Sequence, residues 1–557
     1  MAEGIKEVPP IWTTGWTDIL NTGTWRSAIP VHTKRPAPCH RACPVEGDIP
    51  VWTQLVKAEK YYEAWLALVV NNPFPAVTGR VCHHPCEGSC NRGEYDGAVA
   101  INALEQYVGD MASTEGWSLP GPDNEQEQRV LVIGAGPAGL SCAYQLRREG
   151  YQVTVFEERS EAGGVLRYGI PQYRLPREVL AGEVKRLLDM GITIETDRRF
   201  ESNELEKFEQ EYDAVFLAIG AGKSKALPQF PADEHVLNGL EFLAKSNQNE
   251  SIFIGPQVVV IGGGSVAMDV ARTARRLGSY VTVLALEDRE HLPAQADEIA
   301  EALEEGISIT DGTMVQSVER LVQGLDLSCV KVSLDPEAPP GVLKPIAIAD
   351  SEFRLLADHV ILAVGQDPET DEWHDVLKIE KTLVKVADDF STGRPGVFAG
   401  GDAASTERYV STAVGQGKTA ARSMARYLAE THELEVAAEM SVEFEEPVSF
   451  KEINTFYFPS LARDNKETTL AGVRLHDFSE VKKGFSSLQA LAQAERCFSC
   501  GSCIECDNCF YFCPDMAVVK DSALEEHYRI LDQYCKGCGS CVEECPRGAV
   551  VLKEETR

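Results

Sequence analysis

The fold turns on Arg129-Val130-Leu131-Val132-Ile133-Gly134-Ala135-Gly136-Pro137-Ala138-Gly139. A short apolar run leads directly into G-x-G-x-x-G, and a helical pattern follows from Gly139 to Glu149. The first glycine makes a tight turn, the second admits a pyrophosphate, and the third lets the helix pack closely on the strand. The helix start then offers unpaired N–H groups and a positive dipole end to the phosphates. The expected ribose-binding acid follows the next apolar run, Gln152–Phe156, as Glu157 with Glu158 beside it. The motif recurs 128 residues later as Gly262-Gly263-Gly264-Ser265-Val266-Ala267-Met268-Asp269, in its accepted G-x-G-x-x-A form.

Further buried-strand runs are Ala214–Ile219, Gln257–Ile261, Tyr280–Leu284 and His359–Val364, with a second helical pattern at Val266–Leu277. Strands alternating with helices imply an α/β protein with two doubly wound, Rossmann-like dinucleotide-binding domains. Pro395–Asp402 and the helix start Ser411–Gln416 lie outside the second unit and belong with the first. There Asp402 suits a ribityl chain, and a helix N-terminus suits the electron-rich edge of a reduced flavin. The first site is therefore read as FAD-binding, adding Gly164, Val165, Leu166, Gly220, Gly401, Thr412 and Ala413 to the fingerprint. The second is read as nicotinamide-binding, with Asp269, Glu287 and Gly365 added. Expected boundaries are 1–125 for a helical iron–sulfur domain and 126–234 with 367–435 for the FAD domain. The nicotinamide domain takes 235–366, a charged connecting segment 436–490, and a ferredoxin-like α+β domain 491–557.

Composition narrows the function. Asp and Glu exceed Lys and Arg by 86 to 53, a formal charge of −33. That argues against nucleic acid and against an anionic membrane surface. No apolar leader opens the chain, and the longest purely apolar stretch, Ala64–Val70, is too short to span a bilayer. The expected location is cytoplasmic, where clustered cysteines hold metal more often than they form disulfides.

Of 17 cysteines, five lie between Cys39 and Cys90 and ten between Cys497 and Cys545. Cys503-x2-Cys506-x2-Cys509-x3-Cys513-Pro514 and Cys535-x2-Cys538-x2-Cys541-x3-Cys545-Pro546 form the bacterial two-cluster rhythm. In that pattern the fourth cysteine of each run serves the other cluster. Cys503, Cys506, Cys509 and Cys545 are therefore expected to hold one [4Fe–4S] cluster, and Cys535, Cys538, Cys541 and Cys513 a second. Zinc ribbons or a disulfide scaffold would not need the rhythm twice.

Cys39-His40-Arg41-Ala42-Cys43-Pro44, Gly79–Cys82, Cys86–Cys90, Gly163–Pro171 and Gly262–Asp269 carry a specific resemblance. Over roughly residues 35–430 the chain resembles the glutamate synthase small-subunit family. That family includes the N-terminal part of dihydropyrimidine dehydrogenase and the large subunit of ferredoxin:NADP transhydrogenase. The resemblance implies two N-terminal [4Fe–4S] clusters, held by a Cys-x-x-Cys, further cysteines and one Glu or Gln. Here the Cys-x-x-Cys is missing from the N-terminus and stands instead at Cys497–Cys500. Cys497 and Cys500 are expected to fold back onto Cys39 and Cys90, leaving Cys43, Cys82, Cys86 and Glu105 for the other cluster. His83 and His84 are alternative ligands, and Cys142 and Cys329 read as core residues.

Hydride from a nicotinamide must pass to a flavin, because iron–sulfur clusters take single electrons. No Cys-x-x-Cys lies between Cys90 and Cys497, so a thioredoxin-reductase-type disulfide is not the acceptor. No catalytic side chain is required beyond the cofactors; Arg167 and Arg174 are candidate flavin contacts, though arginines in such a loop are more often structural. NADP-using relatives carry arginines after the second strand of the nicotinamide domain. Here the stretch reads Ala285-Leu286-Glu287, which favours NAD over NADP, with Arg289 the residue that opposes this. No thiamine site or glutaminase nucleophile is present, so substrate chemistry is expected on a partner. The ferredoxin-extended form resembles electron-transfer subunits of 2-oxoacid oxidoreductases, including the thiamine-dependent phenylglyoxylate type. A stand-alone NADH:ferredoxin oxidoreductase and a glutamate synthase small subunit are the alternatives.

Overall fold

The computed structural model describes residues 26–339, 343–434, 446–521, 524 and 527–555. The start of the chain, where no apolar leader is expected, and the first part of the connecting segment, 436–445, lie outside these.

Arg129–Ile133 is the central strand of a five-stranded parallel sheet ordered 397–399, 214–217, 129–133, 152–156, 193–195. Val130, Leu131 and Val132 are wholly buried, as a parallel sheet covered on both faces requires. The helix Pro137–Arg148 leaves this strand and packs along Val410–His432. The turn between strand and helix is tight. Gly134 sits at φ +103°, and a Cβ on Gly139 would stand 1.9 Å from the Gly134 carbonyl oxygen, so only glycine fits there.

A second parallel sheet runs 308–310, 280–284, 257–261, 359–362, 236–238, with the helix Ser265–Arg276 against it. An antiparallel sheet of Thr313–Arg320, Leu325–Leu334, Pro345–Ala347 and Phe353–Ala357 is inserted in sequence between strands 308–310 and 359–362. The two crossovers between the parallel sheets pair as a short antiparallel ribbon, Lys223–Ser224 with Gln366–Asp367. The second sheet has its own cores. The first sheet has a core of its own around Phe200, Phe208 and Trp373, and shares another with Trp52, Trp65 and Leu104 from the N-terminal helices and with Ala490, Ala494 and Phe498.

The N-terminal part is helical around its cysteines, and the expected amphipathic stretch at 51–70 is two helices, Ile49–Lys57 and Tyr61–Val69. The break falls at Glu59, which adopts φ +57°. The part is not purely helical: Ala28–His32 pairs antiparallel with Val550–Glu554, joining the two ends of the described chain. The C-terminal module holds the short helices Asn508–Tyr511 and Ser540–Glu543 and the hairpin Val518–Lys520 with Tyr528–Ile530.

The segment 446–487 is irregular, as its charge suggests, but its charges are engaged. Arg463 pairs with Glu87 at 2.6 Å, Glu480 with Arg80 at 2.7 Å, Lys482 with Glu301 at 3.0 Å and Arg474 with Glu305 at 3.2 Å. It straps the N-terminal helices to the second dinucleotide unit. Among the described residues no helix is long and apolar enough to cross a membrane.

Candidate functional site

A cavity of about 1450 Å³ lies where the two dinucleotide units, the N-terminal helices and the strap meet. From the first unit it is lined by Gly134, Gly136, Pro137, Ala138, Glu157, Glu158, Gly164, Val165, Gly220, Gly401, Asp402 and Ala413. Ala135, Gly139 and Leu166 stand behind this lining, and Thr412 is on the adjoining helix. A Cβ on Gly136 would meet no atom within 4 Å, so the second fingerprint glycine faces open space where a pyrophosphate would lie. Glu157 is locked to the loop: Oε2 accepts from Ala135 N at 2.8 Å and Oε1 from Arg159 N at 3.0 Å. Burial raises its carboxyl above the usual range. Burial also pushes Asp402 up to about 6, against the pull of Arg408. These are the groups an FAD needs: a glycine cradle, a ribose acid, and a carboxyl beside a helix start.

From the second unit Ser265, Val266 and Asp269 line the cavity. Gly262, Gly263, Gly264 and Ala267 form the turn and helix start behind them, and Gly365 lies on the crossover ribbon, its carbonyl accepting from Lys225 N at 3.0 Å. The Glu287 carboxylate abuts the fingerprint: Oε2 would stand 3.1 Å from a Cβ on Gly263. Arg289 is exposed. Asp269 is tied to Arg174 Nη1 at 2.7 Å, while Arg174 Nη2 holds Glu298 at 2.7 Å. Burial pushes the Asp269 carboxyl up to about 6 even so. Arg174 thus joins the loop of the first unit to helices of the second, and Arg167 pairs with Glu161 at 3.1 Å.

Fifteen cysteines gather into four groups, and none of the seventeen forms a disulfide. Cys43, Cys82, Cys86 and Glu105 lie together beside the cavity, which Cys82 lines. Burial and the neighbouring Glu105 push the Cys82 thiol up to about 12, and its Sγ lies beside the Ser411 hydroxyl at the start of the long helix. Asn72 Nδ2 at 2.8 Å and Thr78 Oγ1 at 2.9 Å both donate to Glu105 Oε1, leaving Oε2 for a metal. Burial raises the Glu105 carboxyl to about 7. His83 stacks on Tyr409 with ring centroids 3.7 Å apart, and His84 stands 3.7 Å from Glu87. Cys142 and Cys329 are wholly buried in cores.

Cys39 stands next to Cys90, Cys497 and Cys500, and more weakly feels Cys86 of the first group. Cys503, Cys506, Cys509 and Cys545 form the third group, and Cys513, Cys535, Cys538 and Cys541 the fourth, with Cys509 also feeling Cys541. Each group thus adjoins the next, starting from the cavity, and Cys503, Cys506 and Cys538 of the last two are exposed. Among the described residues no three His, Cys, Asp or Glu side chains converge as a single metal ion requires. A four-iron cluster takes one ligand at each corner and so needs no such convergence. Buried thiols shifted upward are neutral until metal displaces their protons.

Sequence reasoning did not mark the strap residues at the cavity. Lys466 donates to Gly79 O at 2.6 Å and Asn102 Oδ1 at 2.8 Å, and burial lowers its ammonium to about 8. The only available signal was a run of charges that reads equally well as a solvated linker.

A pyridine nucleotide-disulphide oxidoreductase family model matches residues 128–417. A dihydropyrimidine dehydrogenase domain II 4Fe-4S cluster model matches 32–117, and a 4Fe-4S dicluster domain matches 502–549. The chain is 34% identical to the NADP(+)-dependent formate dehydrogenase subunit beta of Moorella thermoacetica, over 83% of this chain and 70% of that one. It is 33% identical to the NADPH-Fe(3+) oxidoreductase subunit beta of Geobacter sulfurreducens, over 84% and 75%. It is 34% identical to the NAD-dependent dihydropyrimidine dehydrogenase subunit PreT of Escherichia coli O157:H7, over 70% and 91%. With its FAD/NAD(P)-binding fold flanked by 4Fe-4S domains, the chain belongs to the pyridine nucleotide-disulphide oxidoreductase family.

Proposed function

We propose that this chain is the NAD-linked electron-transfer subunit of a multi-subunit dehydrogenase, exchanging electrons between NAD(H) and four [4Fe–4S] clusters through FAD. The observation that carries the reading is the placement of Cys43, Cys82, Cys86 and Glu105 against the nucleotide cavity, followed by three further cysteine groups leading to the surface. FAD, when bound, supplies the conversion between a hydride pair and single electrons.

The residues divide the work. Gly134, Gly136 and Gly139 admit the FAD pyrophosphate, Glu157 holds its ribose, and Asp402 its ribityl chain. The Gly262–Ala267 turn receives the nicotinamide dinucleotide, and Glu287 hydrogen-bonds ribose hydroxyls while repelling a 2′-phosphate, which favours NAD. Arg174 keeps the two units in register through Asp269 and Glu298. Fifteen cysteines and Glu105 supply sixteen ligands.

Beta subunits of a formate dehydrogenase and an Fe(3+) oxidoreductase among the relatives support a separate catalytic partner. For that partner we favour a thiamine-dependent 2-oxoacid oxidoreductase, on the resemblance of the ferredoxin-extended chain to the phenylglyoxylate type. Native purification with identification of co-purifying subunits tests this: a thiamine-binding partner supports it. A chain isolated alone and active with ferredoxin contradicts it in favour of an NADH:ferredoxin oxidoreductase.

A further inference from the structure

Arg547 follows Cys545-Pro546 and is 7% exposed. Both its main chain and its side chain hold the Cys497–Gly501 loop. Gly501 N donates to Arg547 O at 2.7 Å, and Arg547 Nη1 donates to Phe498 O. The guanidinium lies over the Phe458 ring at 5.5 Å, and its buried Nε has no hydrogen-bond partner.

Its surroundings differ from those of the other deeply buried arginines. Arg92 and Arg496 share Asp96, while Arg272 and Arg474 share Glu305. Arg547 instead stands among the thiols of Cys497, Cys500, Cys506 and Cys545, two from each of two adjacent groups, and the carbonyl it holds, that of Phe498, lies between Cys497 and Cys500. A buried cation without a counter-charge is strongly disfavoured. Carboxylates supply that charge for the other four; here it must come from cysteines, which are anionic when they hold metal.

Resting on the cluster assignment above, we propose that Arg547 is a positioning residue shared by two cluster sites, those of Cys39/Cys90/Cys497/Cys500 and Cys503/Cys506/Cys509/Cys545. Its fixed positive charge favours the electron-rich form at each and holds both reduction potentials up. Cluster potentials respond to local net charge, hydrogen bonds to sulfur and burial, and Arg547 contributes to the first without being a ligand. The same residue ties the C-terminal module to the Cys497 loop, so the two sites keep a fixed relation.

The test compares Arg547→Gln and Arg547→Lys in the full-length chain, purified without oxygen, by iron content and EPR-monitored redox titration. The expected result for Arg547→Gln is a full iron complement, about sixteen per chain, with two of the four potentials shifted downward. Arg547→Lys keeps the charge and leaves all four at their wild-type positions. Loss of iron in Arg547→Gln with retention of iron and potentials in Arg547→Lys also supports the proposal, because the charge is then what matters. Unmoved potentials in Arg547→Gln with full iron overturn it, as does a downward shift in Arg547→Lys equal to that in Arg547→Gln. Equal loss of iron in both variants makes Arg547 a structural tie and overturns it too. A wild-type chain with about eight irons overturns the cluster assignment itself, and the proposal with it.

Discussion

At the scale of single residues, Glu287 and Glu105 carry the sharpest consequences. Glu287 abuts the second fingerprint through Gly263. If Glu287 holds the ribose as proposed, Gln in its place removes a charge-assisted bond of about 1.5–3 kcal/mol. The expected effect of Glu287→Gln is a fall of roughly tenfold or more in kcat/KM for NADH, with NADPH unaffected or improved. Equal efficiency of NADH and NADPH in the wild-type chain contradicts the assignment. Glu105 has Oε2 left over after Asn72 and Thr78 bind Oε1. Glu105→Ala should remove one cluster, about four irons per chain, whereas Glu105→Gln keeps a ligating oxygen and should keep the iron. If Glu105→Ala retains full iron, Glu105 is not a ligand.

At the scale of elements, the strap and the terminal strand pair hold the parts together. Arg474 is buried between Glu304 and Glu305, with Arg272 and Arg276 on the same Glu305. Without Arg474, Glu305 still has Arg272 and Arg276 and Glu304 is exposed, so the loss falls on the anchorage of the strap. Arg474→Ala should therefore lower the thermal midpoint and speed hydrogen exchange in 446–487, with iron content unchanged; unaltered exchange there would mean the strap is held by other contacts. The strands around both fingerprints were legible in sequence because Val/Ile-rich runs ended at glycines. Two features were not. Ala28–His32 finds its partner at Val550–Glu554, and no local pattern announces a pairing across nearly the whole chain. The break at Glu59 lacks the glycine or proline that ordinarily marks one. The site was legible where spacing encodes it, as in the C-terminal cysteine runs and the glycine turns. It was opaque where charge encodes it: Arg174 reads in sequence as a flavin contact or a structural residue, and nothing there names its partners, Asp269 and Glu298.

At the scale of the whole molecule, a formal charge of −33 on an electron carrier favours partners with basic faces. Electron transfer to such a partner should slow as salt rises from 0.01 M toward 1 M, since the screening length falls from about 30 Å to about 3 Å. A rate indifferent to ionic strength removes electrostatic steering from the account. In this reading one chain joins NADH to four clusters, one of them completed by Cys39 and Cys90 together with the distant Cys497 and Cys500. Iron analysis of the anaerobically purified chain, read with flavin bleaching by NADH, tests it most directly. About sixteen irons per chain and prompt bleaching are expected; about eight irons would leave only the C-terminal pair and contradict the four-cluster scheme.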